Sequence, residues 1–229
     1  MSDPLTQITL RLPRGRTLPL DRPRIMGIIN VTPDSFSDGG KWLERDAALD
    51  HAKRLVAEGA EVLDIGGEST RPGSRRVEAG EQRRRIEPVV AAVREVMPDV
   101  VISIDTTRTA VAEAALDAGA DMLNDVSGAT EETDMLDLAA AWRVPIVLMH
   151  MRGEPGTMQD DPRYADVVAE IRDYLLERAA AAEAAGVAGD QVMIDPGIGF
   201  GKTREHNLAL MANLSTFVAT GRGVLLGTS

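Results

Sequence analysis

The chain contains no cysteine, three histidines and few aromatic side chains. The absence of cysteine excludes a disulfide framework and thiolate chemistry, and it favours the cytoplasm. No apolar run approaches the ~20 residues that span a bilayer, and the N-terminal stretch MSDPLTQITL lacks the apolar core of a signal peptide. We therefore expect a globular protein that does not enter a membrane.

Positive charge is also scarce, with 25 Lys and Arg against 36 Asp and Glu and a formal net charge of −11. Nucleic-acid-binding proteins normally carry a basic surface, so the balance argues against a nucleic-acid partner. An acidic protein that handles an anionic substrate needs a few local cations, a helix N-terminus or a metal ion. The charge alone indicates a soluble surface with a net charge well away from zero.

From residue 24 onward, short apolar runs alternate with longer amphipathic stretches. Runs of four to seven nearly continuous apolar residues are typical of strands buried on both faces of a parallel sheet. Several helical patterns end in glycine (Gly59, Gly119 and Gly186), the usual residue at a left-handed helix C-cap. The seven runs are Arg24–Asn30, Val62–Ile65, Val100–Asp105, Asp121–Asn124, Pro145–Met149, Val192–Asp195 and Gly223–Gly227. This alternation predicts an α/β fold of the (β/α)8 TIM-barrel class.

The domain organisation follows from the same pattern. We expect residues 1–23 to form an N-terminal extension, in which Ile8–Leu20 is a small β-hairpin covering the barrel floor, and residues 24–229 to form the barrel domain. Seven strands are present where a closed barrel has eight, and closure removes the sheet edges. We therefore expect the last helix, strand and helix to be missing, so that the domain is incomplete at the C-terminus. An open seven-strand variant is the alternative.

Polar residues end four of the apolar runs: Asn30, Asp105, Asn124 and Asp195. Any one of them could simply start a turn or cap the next helix. In barrels of this class, however, functional groups cluster at the carboxyl ends of the strands. Together the amides and carboxylates predict a site for a ligand with several N–H donors.

Four segments give the site an identity: NVTPDSFSDGG at 30–40, GGESTRPG at 66–73, LMHMRGEPGTMQ at 148–159 and DPGIGFGK at 195–202. In this order and spacing they resemble the loops of dihydropteroate synthases, and the resemblance runs from about residue 24 to residue 229. The wider pterin-binding barrel family includes folate-dependent methyltransferases, which do not carry loops like the first two.

The resemblance implies a transferase of folate biosynthesis that joins 6-hydroxymethyl-7,8-dihydropterin diphosphate to p-aminobenzoate, giving 7,8-dihydropteroate and pyrophosphate. It implies that the pterin binds to Asp105, Asn124 and Asp195. These oxygens can accept hydrogen bonds from the aminopyrimidine edge, and the amide can also donate. Met149 would pack against the pterin ring; ordinary core packing is the alternative for this residue.

The resemblance also implies a Mg2+ cofactor, because pyrophosphate leaves with developing negative charge. Asn30 matches the metal and diphosphate contact, with Asp34 as a metal neighbour, and Thr70 and Arg71 match the phosphate contacts of the second loop. Asp38 would offset the charge of a pterin-stabilised cation. Three further residues would wall the p-aminobenzoate slot: Phe36, Pro72 and Phe200. Asn30, Asp38 and Arg71 are thus the candidate catalytic residues.

Other motifs carry weaker signals. Gly199–Thr203 is similar to a phosphate-binding P-loop, but the position that requires its first glycine is Pro196. We therefore expect Lys202 to be a helix-start or surface residue. His150 is at the barrel mouth and could lie behind the site, whereas the charge run Arg83–Arg85 is typical of a solvated helix face.

Three alternatives to a synthase remain open: a folate-dependent methyltransferase of the same fold, a non-catalytic pterin-binding homologue, and a fragment that does not act unaided. By resemblance, the residues after Ser229 would include an Arg-Lys pair and then an Arg and a His that hold pyrophosphate. We therefore expect the chain as given to be inactive, and the full-length enzyme to be a homodimer.

Overall fold

The computed structural model describes residues 8–31, 40–68, 76–153 and 158–228. These residues fall into two compact units. The first, called here the 22–124 unit, contains described residues 22–31, 40–68 and 76–124. The second, called the 125–228 unit, contains described residues 8–21 and 125–228.

Parallel strands and the helices between them build the 22–124 unit. Its strands are β3 (Met26–Asn30), β4 (Val62–Gly66), β5 (Val101–Asp105) and β6 (Met122–Asp125), of which the last residue belongs to the other unit. They pair in chain order. The helices are α1 (Gly40–Ala57), α2 (Ala79–Val96) and α3 (Thr109–Asp117). Every residue of β4 is buried, including Asp64, as its nearly continuous apolar character predicts for a strand covered on both faces.

The 125–228 unit follows the same alternation. Its parallel strands are β7 (Ile146–Met149), β8 (Val192–Asp195) and β9 (Gly223–Val224). Its helices are α4 (Asp134–Trp142), α5 (Val167–Ala184), α6 (Arg204–Ala212) and α7 (Leu214–Val218). One of its core clusters joins α5, α6 and α7 to β8 and consists of Ile171, Leu175, Ile194, Leu210 and Phe217. Burying such apolar side chains is the main force that holds the helices on the strands.

The predicted hairpin is present in the same unit, as β1 (Thr9–Arg11) paired antiparallel with β2 (Thr17–Pro19). The Arg11 backbone N–H donates to Gln191 Oε1 at 2.6 Å, and the Arg11 guanidinium binds both carboxylate oxygens of Asp190. Gln191 directly precedes β8, so the hairpin is attached at the amino end of that strand. This position is opposite to the carboxyl end of β8, which carries Asp195.

The sequence-based elements are confirmed with small shifts. The three C-cap glycines have positive φ angles of 109°, 114° and 102°, which glycine adopts without a Cβ penalty. Most strands begin one or two residues later than the apolar runs, and β9 ends at Val224 instead of Gly227. Among the helices formed by the described residues, none combines the length and the apolar character that crossing a membrane requires.

Candidate active site

A row of residues at the carboxyl ends of four adjacent strands forms the first part of the site. The strand register pairs Asn30 with Gly66, Gly66 with Asp105, and Asp105 with Asn124. A side chain at Gly66 would lie 3.5 Å from Asp105 Oδ2, so the glycine leaves room beside that carboxylate. The predicted grouping of Asn30, Asp105 and Asn124 is therefore present within the 22–124 unit.

A buried carboxylate lies one layer below this row. Asp64 on β4 is 5% exposed, and its Oδ2 accepts a hydrogen bond of 3.0 Å from Nδ2 of Asn124. Burial raises the pKa of Asp64, and the nearby Ser103 hydroxyl and the hydrogen bond from Asn124 oppose this rise. Ser103 is the register partner of Asp64 on β5, but its hydroxyl and the other Asp64 oxygen are buried and form no hydrogen bond of normal geometry with a described residue.

The base of the second loop is held by a small polar network that the sequence analysis missed. Glu68 Oε2 accepts hydrogen bonds from the Val77 backbone N–H at 2.9 Å and from Gln82 Nε2 at 2.8 Å. Arg85 donates to the backbone oxygen of Gly67 at 3.0 Å, and its side chain is 13% exposed. The prediction that Arg83–Arg85 is a solvated face is thus wrong for Arg85, which helps to anchor this loop.

Two predicted pterin contacts are neighbours in the 125–228 unit. Met149 pairs with Asp195 in the register of β7 and β8, and both are buried, at 3% and 6% exposure. The backbone N–H of Gly197 donates to Asp195 Oδ1 at 2.7 Å, and the His150 N–H donates to the Asp195 backbone oxygen at 3.0 Å. These contacts fix the Asp195 carboxylate at the carboxyl end of β8.

The loop after β8 folds tightly onto the segment after β7. Gly197 has φ +67° and Gly201 has φ +65°, and a Cβ at either position would overlap a backbone carbonyl oxygen, that of His150 or Arg152 respectively. Phe200 is half-buried in this loop, where its N–H donates to the Gly197 oxygen at 3.1 Å. Glycine is therefore required at both close approaches, and the loop that carries Phe200 has a fixed position.

Lys202 is buried beneath this loop and hydrogen-bonds to it. The prediction that Lys202 is a helix-start or surface residue is therefore wrong. The side chain is 3% exposed. Its Nζ donates to His150 Nδ1 at 3.0 Å and to the backbone oxygens of His150 and Phe200 at 3.2 and 2.8 Å. Burial lowers the pKa of Lys202 to about 7, and the nearby charge of Asp195 opposes the fall.

His150 lies against this ammonium group and is 4% exposed. Its ring meets Tyr174 edge to face, with ring centroids 4.9 Å apart. Burial, together with the charges of Lys202 and Arg152, lowers the pKa of His150 to about 3. The imidazole is therefore neutral at neutral pH, and it accepts from Lys202 at Nδ1.

A further buried carboxylate, Asp125, follows Asn124 at the end of β6. Its Oδ1 accepts from the N–H and the hydroxyl of Ser127, at 2.8 and 2.6 Å. Its Oδ2 is buried without a partner among the residues that the structure describes. Burial raises the pKa of Asp125 to about 6, and the hydrogen bonds from Ser127 oppose this.

Half of the predicted site residues lie outside the described residues: Asp34, Phe36, Asp38, Thr70, Arg71 and Pro72. The described ranges contain no group of three or more His, Cys, Asp or Glu side chains that could hold a metal ion. Of the two predicted metal ligands, Asn30 lies within the described ranges, at the end of β3.

Comparisons with known proteins agree with the strand-end arrangement. Residues 26–229 match the model of the pterin binding enzyme family. Dihydropteroate synthase of Synechocystis sp. is 47% identical over 221 residues, which are 95% of this chain and 76% of the relative.

Two solved structures extend the comparison. Xanthomonas albilineans dihydropteroate synthase with 4-aminobenzoic acid matches with a TM-score of 0.89 and 48% identity, over 98% of this chain and 79% of that chain. The same enzyme in complex with 7,8-dihydropteroate has a TM-score of 0.85 and 45% identity, over 96% and 78%. These matches confirm the α/β fold of the pterin-binding barrel type, represented here by seven parallel strands. The chain belongs to the dihydropteroate synthase family of pterin-binding transferases, which act in folate biosynthesis.

Proposed function

We propose that the enzyme condenses 6-hydroxymethyl-7,8-dihydropterin diphosphate with p-aminobenzoate through the residues that the sequence analysis selected. The observation that carries this proposal is the row of Asn30, Asp105 and Asn124 at adjacent strand ends. It places an amide, a carboxylate and a second amide on one edge of the sheet, where α/β barrels bind their substrates. The similar enzyme solved with 4-aminobenzoic acid and with 7,8-dihydropteroate supports the same substrate pair.

In this proposal Asp105, Asn124 and Asp195 accept hydrogen bonds from the N–H groups of the dihydropterin. The three side chains lie at strand ends and are buried or half-buried, which strengthens hydrogen bonds to a charged acceptor. Met149 covers the ring, and its 3% exposure is equally compatible with core packing. Phe200, held in the loop after β8, lines the arylamine slot with Phe36 and Pro72.

The diphosphate end is assigned to Asn30, Thr70 and Arg71. The carboxamide oxygen of Asn30 fits a Mg2+ ion that keeps most of its waters, since such an ion needs only one or two protein ligands; Asp34 is its proposed neighbour. When bound, the metal would neutralise negative charge on the diphosphate. Arg71 would bind the phosphate oxygens through its planar fork of donors.

The order of bond changes follows from these roles. The C–O bond to the diphosphate breaks first and leaves a cation stabilised by the pterin ring, with Asp38 offsetting the positive charge. The p-aminobenzoate nitrogen then attacks the methylene carbon and loses a proton. No side chain acts as a nucleophile, and exclusion of water protects the cation from hydrolysis.

Two finer assignments also belong to this proposal. We place the enzyme in the cytoplasm, which the absence of cysteine supports. We propose that the full-length enzyme forms homodimers, and the exposed Leu208 and Met211 on α6 and Val218 on α7 support an apolar interface.

The test is a fluorescence titration with 6-hydroxymethylpterin, followed by an assay of pyrophosphate release that depends on p-aminobenzoate. Asp105→Asn and Asp195→Asn are each expected to weaken pterin binding about tenfold or more. Asp190→Asn, which removes a carboxylate at the opposite strand end, serves as the control and should bind normally. The pyrophosphate assay is carried out on the full-length enzyme, in which pterin binding without pyrophosphate release would instead indicate a non-catalytic homologue. Unchanged affinity in both site variants would refute the assignment.

A further inference from the structure

The hydrogen bond between Asn124 and Asp64 determines which end of the Asn124 amide faces the ligand. The amide nitrogen donates to Asp64 Oδ2 at 3.0 Å, and both side chains are more than nine-tenths buried. A carboxamide has a donor end and an acceptor end of nearly equal size. Because the donor end is bound to Asp64, the acceptor oxygen of Asn124 is the end left for a ligand at the row of strand ends.

We propose that Asp64 is the positioning residue that makes the site selective for a heterocycle with an exocyclic amino group. By accepting the amide N–H, Asp64 presents Asn124 Oδ1 to the ligand, and this oxygen binds the 2-amino group of a pterin. A 2-oxo analogue places an acceptor against the same oxygen and is rejected. The inference rests on the proposed function, since it concerns the pterin that this site binds.

The identity of residue 64 is essential to this argument. An ionised carboxylate has acceptors and no donor, so it allows one orientation of the neighbouring amide. An asparagine at position 64 would have both kinds of group, so that either orientation of Asn124 would find a partner. The Asp64→Asn change therefore removes the selection between orientations while preserving shape and volume.

The surroundings of Asp64 indicate that this carboxylate is not retained for stability. Its second oxygen and the hydroxyl of Ser103 are both buried, and neither forms a hydrogen bond of normal geometry with a described residue. Each buried polar atom left without a well-formed hydrogen bond destabilises the fold. A purely structural role would be better served by an apolar residue.

The experiment measures the affinities of 6-hydroxymethylpterin and 6-hydroxymethyllumazine, which carries a carbonyl in place of the 2-amino group. The proteins are the wild type, Asp64→Asn, and the control Asp121→Asn. Asp121 is also a fully buried carboxylate of the 22–124 unit, but it lies before β6 at the opposite end and accepts from Arg94 and the Ile102 N–H. The control thus alters a buried carboxylate without altering the orientation of Asn124.

The wild type is expected to prefer the pterin by about tenfold or more, and Asp64→Asn to reduce the ratio of the two affinities by about tenfold. Asp121→Asn should leave the ratio unchanged even if the protein is less stable. Equal weakening of both ligands in Asp64→Asn would show a merely structural role and overturn the proposal.

Two further outcomes are informative. A wild type that binds both heterocycles equally would overturn the inference without any variant, so the proposal remains testable if Asp64→Asn does not fold. In that case Asp64→Ala, which also frees the amide, is measured in the same way and should show the same loss of selectivity. A wild type that binds neither heterocycle would refute the proposed function itself.

Discussion

Replacing Lys202 with methionine should remove a pH dependence of stability that the buried amine creates. The side chain is 3% exposed and hydrogen-bonds to two backbone oxygens and a neutral imidazole. Among the residues that the structure describes, no carboxylate forms an ion pair with Lys202, although the charge of Asp195 is close enough to raise its pKa. Burial dominates, so the folded protein binds the proton of Lys202 more weakly than the unfolded chain does.

The sign and the size follow from the two pKa values. The pKa is lowered from 10.5 to about 7 on folding. Between these values the unfolded chain holds the proton and the folded protein does not, so the free energy of unfolding rises with pH. Each pKa unit corresponds to about 1.4 kcal/mol. The folded state is therefore destabilised by roughly 5 kcal/mol well below pH 7, and about 2 kcal/mol of this is recovered between pH 7 and pH 9.

The assay is urea denaturation of the wild type and Lys202→Met at pH 7, 8 and 9. The wild type should gain roughly 2 kcal/mol relative to the variant across this window. Lys53→Met is the matched control, because Lys53 on α1 is 48% exposed and pairs with Asp50 at the surface; its difference from the wild type should not change. A difference between the wild type and Lys202→Met that is independent of pH would refute the reasoning.

Three other substitutions test separate features. Gly197→Ala should lower the free energy of unfolding by at least about 3 kcal/mol, because the added Cβ overlaps the carbonyl oxygen of His150. Gly199 also has a positive φ but has open space around it, so Gly199→Ala should lower stability by about 1 kcal/mol. Both losses are measured by thermal denaturation, and equal losses would contradict the packing argument. In the full-length enzyme, Asn30→Ala should lower turnover on the order of 100-fold with an unchanged melting temperature, and unchanged kinetics would refute its diphosphate role. Asp125 has a raised pKa of about 6, so its stabilising contribution is present below its ordinary pKa of 3.8 and is lost as pH rises through 6. Relative to Asp125→Asn, the wild type should thus lose roughly 2 kcal/mol between pH 4 and pH 6.5 in urea denaturation, and a gain in stability over this range would contradict the prediction.

Sequence patterns located the strands well, because the signal they use is local. A strand buried on both faces is apolar at nearly every position, as β4 is apart from Asp64, and this run is visible without knowledge of its neighbours. The positions of Asn30, Asp105 and Asn124 followed from the same runs, because parallel strands present their carboxyl ends at one edge. The register that aligns these residues was not determined by the sequence.

The errors concern residues whose surroundings come from distant parts of the chain. Lys202 precedes α6 and looks like a surface residue, but the turn at Gly197 and Gly201 folds its segment onto His150 and Arg152, which buries the amine. Arg85 belongs to a run of three arginines, yet α2 faces β4 with Gln82 and Ile86 buried, which brings Arg85 to the Gly67 oxygen. A charge run does not show which of its members lies at the border of the buried face.

In the 22–124 unit, the buried carboxylates at the two ends of the strands differ in how completely they are hydrogen-bonded. Before β6, the Asp121 carboxylate is paired with Arg94 at 2.5 Å and with the Ile102 N–H at 2.9 Å, so its burial is compensated. Near the carboxyl ends, Asp64 and Ser103 each retain a buried polar atom without a well-formed hydrogen bond to a described residue. Unpaired buried atoms cost stability, so they persist where another requirement outweighs that cost. Because one of these groups orients an amide of the proposed pterin site, the local loss of stability and the selectivity of the site have the same structural origin.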